Sequence, residues 1–142
     1  MDNLTSASLS VKPNLKLEEH GKEHKVDTTF FKKIVGSLRY VCNSLPDIGF
    51  SVGLVSKYLN EPKVSHMKAV RRILRYLKGS INYEILFQRD SERKEASVTF
   101  YLDAYWYGYK EDLRSTTGYF FQVFGAPFSW CSRKKLVMEL SS

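Results

Sequence analysis

The stretch 65-SHMKAVRRILRYLKG-79 decides the first half of the fold, because its residues separate into two opposite helical faces. Apolar residues recur at intervals of three and four, the spacing that keeps side chains on one side of an α-helix. They are Met67, Val70, Ile73, Leu74 and Leu77. Ser65 is suited to cap the start of this helix and Gly79 to end it. The pattern predicts an amphipathic helix that packs its apolar face into a core.

The opposite face of the same helix is basic throughout. Over about three turns it carries Lys68, Arg71, Arg72, Arg75 and Lys78. No acidic residue lies between Ser65 and Gly79, whereas a helix surface that serves only solubility usually mixes both signs of charge. We call these five cations the basic stripe and predict that they contact nucleic-acid phosphates; a merely solvated helix face is the alternative.

Two shorter helical patterns precede this helix. Apolar residues recur at helical spacing over residues 30–42, behind the capping candidates Asp27 and Thr28. Pro46 suits the first turn of a second helix. The apolar positions of that helix are Ile48, Val52, Val55 and Leu59. Residues 27–79 are therefore predicted to form a helical lobe, and residues 1–26, in which apolar positions are isolated, a flexible polar arm.

The arm contains one cluster of side chains that can bind metals: Glu19, His20, Glu23 and His24. Metal ligands use such helical spacing, but flexible charged segments often contain clusters of this kind by chance. We favour a solvated tail over a metal site.

Beyond Gly79 the sequence period changes from that of a helix to that of a strand. Apolar and polar residues alternate over residues 83–88 and again over residues 98–103, with a charged turn between them. Shorter apolar runs follow at residues 119–124, 128–131 and 136–140. Residues 80–142 are therefore predicted to form an antiparallel β-meander. The fold class is α+β, with an N-terminal helical lobe followed by this meander.

Composition limits the function classes. The 142 residues carry a net charge of +7, which favours a polyanionic partner. No run approaches the roughly 18 apolar residues of a membrane span, and the first residues lack the basic start and apolar block of a signal peptide. We expect an intracellular protein, cytoplasmic or nuclear, with no membrane partner. Cys42 and Cys131 follow no metal-binding or disulfide spacing, so free thiols are expected.

Four ordered blocks of the chain carry a resemblance to a known family. They are FKKIVGSLRYVCNSLPDIGFSVGLVSKYLNEP, HMKAVRRILRYLKGS, YLDAYWYGYKEDLRSTTGYFF and GAPFSWCSRKK. Over about residues 28–142 they resemble the C-terminal part of the Pol polyprotein of copia-type (Ty/copia) LTR retrotransposons. The resemblance implies that the helices belong to the end of the reverse transcriptase and its connection to RNase H. The strands would then open an RNase H-like domain, in a parent family of RNA-directed DNA polymerases and RNases H.

The resemblance also assigns a role to Asp103. The family's RNase H cleaves the RNA strand of an RNA:DNA hybrid with two Mg²⁺ ions, which several carboxylates must hold together. Asp103 stands at the position of the first metal-binding aspartate, which makes it a catalytic residue and Mg²⁺ ligand by position. Tyr105 and Tyr109, however, stand where the family has aspartates. We therefore expect Asp103 to be vestigial, with no functional cofactor in this chain.

The end of the sequence strengthens that expectation. The chain stops at Ser142, ahead of the family's helix that supplies the next catalytic glutamate. We expect a truncated, incomplete RNase H-like fold that has no enzyme activity as a stand-alone chain. Because that helix normally covers one face of the sheet, we also expect apolar side chains of the meander to be exposed.

Three functions follow from these observations. The first is a fragment of a retrotransposon Pol polyprotein, degenerate and catalytically inactive without the remainder of that polyprotein. The second is a residual, non-specific nucleic-acid-binding module for an RNA:DNA hybrid or DNA. The third is an RxLR-type effector or protein-interaction role, because residues 72–75 spell R-I-L-R. We rank it last, since that string lies within a predicted amphipathic helix.

Overall fold

The computed structural model describes residues 5–13, 15, 17, 23–85, 97–105 and 116–134. Two compact units divide the chain, Met1–Tyr83 and Glu84–Ser142, which we call the helical unit and the sheet unit. The first contains the helices and the second a three-stranded antiparallel sheet. The predicted α+β class is therefore confirmed. None of the helices in the described ranges combines the length and apolar character needed to cross a membrane.

Helix α1 spans Thr28–Val41, and Asp27 caps it as predicted. The Asp27 carboxylate accepts hydrogen bonds from the backbone N–H groups of Thr29 at 2.8 Å and Phe30 at 3.2 Å. These are two of the donors that the first turn of a helix leaves without an internal partner. The face turned to the core carries Phe31, Val35 and Leu38.

The second helical pattern forms three short pieces instead of one helix. Pro46–Ile48 is a 3₁₀ turn, Gly49–Val55 is the α-helix α2, and Ser56–Tyr58 is a second 3₁₀ turn. Pro46 occupies the first turn, as predicted. The hydroxyls of Ser51 and Ser56 donate to backbone carbonyls three and four residues earlier, and such bonds compete with regular helix geometry.

Helix α3 spans Val64–Gly79 and begins before the predicted cap. Ser65 is not the capping residue, because the chain is already helical there. Instead the Lys63 N–H donates to Nδ1 of His66 at 3.0 Å. His66 is fully buried and stacks on the Tyr58 ring at 3.8 Å between centroids. Gly79 is the last helical residue.

The interior of the helical unit follows from these three helices. Met67, Val70 and Ile73 of α3 are buried, as the apolar periodicity predicted, while Leu74 and Leu77 are half-buried. The largest fully buried side chains of the unit include Phe31, Ile48, Ile73, His66, Val35, Val52, Val55 and Val70. A close-packed core of this kind fixes the orientation of α3, and with it the direction in which the basic stripe faces.

Within the helical unit, described residues of the predicted flexible arm are bonded to the segment that precedes α3 and to its first residue. Leu17 is 6% exposed, and its carbonyl accepts from the Tyr58 hydroxyl at 2.9 Å. The Val26 N–H donates to the Pro62 carbonyl at 2.9 Å. The Val64 N–H donates to the His24 carbonyl at 3.2 Å. These bonds fix the chain beside the start of α3.

The sheet unit is a meander of β1 (Val98–Tyr105), β2 (Thr116–Val123) and β3 (Ala126–Lys134). The predicted runs 98–103, 119–124 and 128–131 all fall within or directly beside these strands. A bulge between Phe121 and Gln122 shifts the register of β2 on β3. Phe124 and Gly125 connect the two strands with φ angles of 51° and 79°, the left-handed backbone that a two-residue hairpin of type I′ requires.

The predicted strand over residues 83–88 is wrong in its described part, because residues 83–85 are not in a strand. The Tyr83 N–H instead donates to the Ser80 carbonyl at 2.9 Å, which closes a turn directly after α3. Residues 86–88 and the apolar run 136–140 lie outside the described residues. The sheet exposes large apolar side chains to solvent, as expected. Examples are Val98, Phe100 and Leu102 of β1.

Candidate nucleic-acid interface

The basic stripe lies on the side of α3 opposite the buried Met67, Val70 and Ile73. Lys68, Arg71 and Lys78 are exposed, whereas Arg72 and Arg75 are half-buried. Between the first and last of these cations the helix rises by about 15 Å. The sequence therefore located the face correctly. It did not predict that two of the five cations would be partly covered.

Arg75 is covered by the N-terminal arm. Its Nε donates to the Thr5 carbonyl at 2.6 Å, and its own carbonyl accepts from the Ala7 N–H at 3.3 Å. The guanidinium thus already serves a backbone acceptor of the same chain. Arg75 and Thr5 are 70 positions apart in the sequence. A periodic pattern within one helix therefore could not have predicted this hydrogen bond.

The Nε–H group of Arg72 donates no hydrogen bond within the described part of the chain. Its Nε is buried and has no hydrogen-bond partner there. A buried donor without a partner costs on the order of 1–3 kcal/mol relative to a satisfied one. Arg72 lies one turn before Arg75 on the same face of α3, so the centre of the stripe combines an occupied guanidinium with an unsatisfied one.

Glu23 lies at the opposite end of the stripe. Its carboxylate accepts from the Ser65 N–H at 2.8 Å. Hydrogen bonds from the Ser65 hydroxyl and backbone hold the pKa of Glu23 below its usual value, and the charge of Lys68 lowers it further. Glu23 therefore stabilises the N-terminus of α3, where an anion is favourable. The solvated-tail interpretation missed this role, since the two residues are 42 positions apart.

Tyr76 and Asp47 support the other end of α3. The Tyr76 hydroxyl donates to the Asp47 carboxylate at 2.6 Å. This hydrogen bond, followed by burial, raises the pKa of Tyr76 to about 12. The bond joins the 3₁₀ turn Pro46–Ile48 to the last two turns of α3, so the helix is held near both of its ends.

Among the residues that the structure describes, Asp103 does not stand in a cluster of carboxylates. It is exposed in the middle of β1 and pairs in register with Gly118, which offers no side chain. Within residues 97–105 and 116–134 it is the only acidic residue, and the described residues contain no group of three metal-binding side chains. The described residues thus do not fit a two-metal site, which needs several converging carboxylates. Tyr109 lies outside them.

Comparison with curated proteins finds relatives among transposon polyproteins. The chain is similar to the "Retrovirus-related Pol polyprotein from transposon RE1" of Arabidopsis thaliana, with 37% identity over 130 residues. It is 35% identical over 127 residues to the corresponding RE2 polyprotein of the same plant. These matches cover 92% and 89% of this chain but 9% and 8% of the polyproteins. The chain therefore spans less than a tenth of their length.

A shorter relative matches over most of its own length. "Secreted RxLR effector protein 161" of Plasmopara viticola is 37% identical over 109 residues, which is 76% of this chain and 75% of that protein. No family model matches the chain, and no solved structure matches it.

Proposed function

We propose that this chain, whose relatives include retrovirus-related Pol polyproteins from transposons, holds nucleic acid for such a polyprotein. In this proposal it corresponds to the copia-type region that ends the reverse transcriptase and opens the RNase H-like domain. The helical unit contacts phosphates through the basic stripe. The sheet unit is an inactive RNase H-like meander.

The observation that carries this proposal is the position of the basic stripe on α3, whose opposite face is packed into the core. Five cations share one face of α3, with no acidic residue within the helix. The opposite face is buried, and Tyr76 is bonded to Asp47 at 2.6 Å, so the cations sit on a fixed support. Each phosphate that such a surface neutralises releases condensed counterions, which favours binding in a salt-dependent manner.

The chemistry of the stripe favours a partner recognised by its backbone. Lys and Arg contacts to phosphates position a protein on nucleic acid but carry no sequence information. We therefore propose non-specific binding to an RNA:DNA hybrid or to DNA.

The test replaces Arg71, Arg72 and Arg75 by glutamine and measures affinity for oligonucleotides of several sequences over a range of salt. We expect affinity to fall roughly tenfold to a hundredfold, equally for all sequences, and the salt slope to flatten by about 0.7–0.9 per lost contact. The matched control removes Lys32, Lys33 and Arg39 from α1, an identical change of charge on another helix. An equal loss of affinity in the control would show that only the total charge of the protein matters, which would overturn the proposal.

For the sheet unit we propose that Asp103 is a vestigial ligand and that the chain alone has no nuclease activity. The support is the lack of a second acidic residue in residues 97–105 and 116–134, together with Tyr105, which continues β1 where the family has an aspartate. The measurement is cleavage of a labelled RNA:DNA hybrid in Mg²⁺ or Mn²⁺. Cleavage that disappears in Asp103→Asn would contradict the proposal.

An RxLR-type effector role is the second candidate, and the similarity to the Plasmopara viticola effector protein favours it. The R-I-L-R string of this chain, however, lies in the middle of α3, where Ile73 is 1% exposed. A partner that reads the string as an extended segment would first have to unfold the helix. Detection of the protein outside the cells that produce it would favour this candidate over the first.

A further inference from the structure

Residues 5–10 lie along the C-terminal half of α3, and we call them the strap. Two hydrogen bonds join the strap to Arg75, one from the Ala7 N–H and one to the Thr5 carbonyl. The Ser10 hydroxyl donates to the Asp47 carbonyl at 3.5 Å. Next to Gly79 the two backbones approach so closely that a Cβ added to this glycine would lie 3.0 Å from the Ser6 Cβ.

The strap uses a group that the basic stripe needs. Arg75 is the fourth of the five cations, and its Nε–H points to the Thr5 carbonyl oxygen at 2.6 Å. A phosphate oxygen would have to replace that carbonyl to receive the same hydrogen. Thr5 and a phosphate therefore compete for the Nε–H, and Arg75 can present Nε together with a terminal N–H in a two-bond contact to a phosphate only after Thr5 has left.

The strap is held weakly enough to be displaced. None of its six residues is buried, and its largest apolar side chain, Leu9, is 51% exposed. Its bond to Asp47 is at the upper limit of hydrogen-bond length. Segments with few buried apolar contacts open at a small fraction of the cost of global unfolding.

We propose that the strap is an autoinhibitory element, which occupies Arg75 until a polyanion displaces it. This inference rests on the proposed function of the stripe. Binding is then limited to the fraction of molecules in which the strap is open, and the apparent dissociation constant rises in inverse proportion to that fraction. Release of the strap increases affinity without adding any cation.

Gly79 provides a test that changes no charge. In Gly79→Leu the new side chain collides with Ser6 and should lift the strap, because even a Cβ is already at 3.0 Å. We expect affinity for a single-stranded oligonucleotide to rise about threefold to tenfold, and the salt slope to steepen by about 0.7 for one added phosphate contact. The matched control is Gly36→Leu in α1, where an added Cβ meets nothing within 4 Å.

A reversible disulfide that holds the strap against α3 should lower the affinity for nucleic acid instead of raising it. A disulfide between Ser6→Cys and Gly79→Cys requires a Cβ separation of about 3.5–4.5 Å, so the 3.0 Å present has to widen slightly, and the bond then keeps the strap beside α3. We expect the oxidised double variant to bind more weakly than its reduced form. Cys42 and Cys131 remain in every variant, so the unsubstituted chain under the same redox conditions is the control. This test also holds if Gly79→Leu does not fold.

The outcomes separate the two proposals. If the unsubstituted chain binds in a salt-dependent manner, and neither release nor locking of the strap changes its affinity, the strap inference is overturned and the stripe stands. If neither the unsubstituted chain nor Gly79→Leu binds an oligonucleotide at low salt, both proposals fail. A tighter Gly79→Leu with an unchanged Gly36→Leu supports both.

Discussion

The helical unit and the sheet unit contain similar apolar side chains but use them differently. In the helical unit Phe31, Val35 and Ile48 are each 0% exposed. In the sheet unit none of the residues whose burial is described, over 84–85, 97–103 and 117–133, is buried. The helices are therefore stabilised mainly by removal of apolar surface from water, which contributes about 25 cal/mol per Å². The sheet depends on its backbone ladders and on contacts between neighbouring side chains.

Aromatic rings packed across the strands supply some of those contacts. Phe100 lies 6.2 Å from Phe121, and Phe121 lies 6.1 Å from Phe128, measured between centroids. On the other face Tyr101 lies 6.3 Å from Phe120. Such cross-strand pairs contribute about 0.2–1 kcal/mol each, well below the burial of one large core side chain. Apolar side chains of similar hydrophobicity therefore contribute less to stability in the sheet unit than in the helical unit, because they are less buried there.

The strongest test of this difference substitutes one phenylalanine in each unit. Phe31→Ala removes a fully buried ring and should lower the free energy of unfolding of the helical unit by about 3–5 kcal/mol. Phe100→Ala removes a ring that is 60% exposed and should cost the sheet about 1 kcal/mol or less. Amide hydrogen exchange reports the two units separately in the same sample. Equal losses in both units would break the comparison.

The hairpin turn of the sheet should give the next largest effect. Gly125 has a φ of 79°, and a side chain in left-handed backbone costs about 1–2 kcal/mol. Gly125→Ala should therefore destabilise β2 and β3 by that amount, which hydrogen exchange of these strands measures. Phe124 has a φ of 51° and already bears such a cost, so Phe124→Gly should act in the opposite direction. Ala at Gly36, where φ is ordinary, is the control.

The Tyr76 bond predicts a pH-dependent contribution to the helical unit. The pKa of Tyr76 is raised from 10.0 to about 12, so its stabilisation is complete below pH 10 and is lost as the pH rises towards 12. Tyr76→Phe should cost about 0.5–1.5 kcal/mol at neutral pH. Urea denaturation of both proteins across this pH range should show the difference disappear. A difference that persists at pH 12 would contradict the assignment.

The smallest expected effect concerns Glu23, which is exposed. Because the pKa of this carboxyl is lowered from 4.5, its contribution is present above pH 4.5 and is lost as the pH falls through the lowered value. Glu23→Gln should remove that dependence while it keeps a side-chain oxygen near the Ser65 N–H. Thermal unfolding of both proteins between neutral and acidic pH is the measurement. Identical pH profiles would show that Glu23 does not act as a charged cap.

Local patterns predicted several elements of this chain, although residues 83–85 are not in a strand and the second helix is divided into three short pieces. The Asp27 cap, the buried face of α3 and the strands near residues 98–103 each follow from spacing within a few positions. The bond from Ser65 to Glu23 and the bond from Arg75 to Thr5 span 42 and 70 positions. The spacing of residues within one helix or strand does not predict partners at such distances in the sequence.

The candidate site divides in the same way. Spacing placed the basic stripe on one face of α3, since helical geometry alone decides which side chains are neighbours. Whether each cation is available depends on the strap, which only the three-dimensional contacts reveal. For Asp103 the sequence supplied a position by resemblance, and the described strands supply no second carboxylate beside it.

The sequence distance between the strap and α3 also has a consequence for folding kinetics. The helices join through contacts of shorter sequence separation, whereas Thr5 meets Arg75 only after a loop of about 70 residues has closed. Because the strap closes a loop of this length and none of its residues is buried, we expect its contacts to form after the rate-limiting step of folding. Substitutions in the strap should therefore leave the folding rate unchanged and accelerate unfolding, as expected for contacts absent from the transition state.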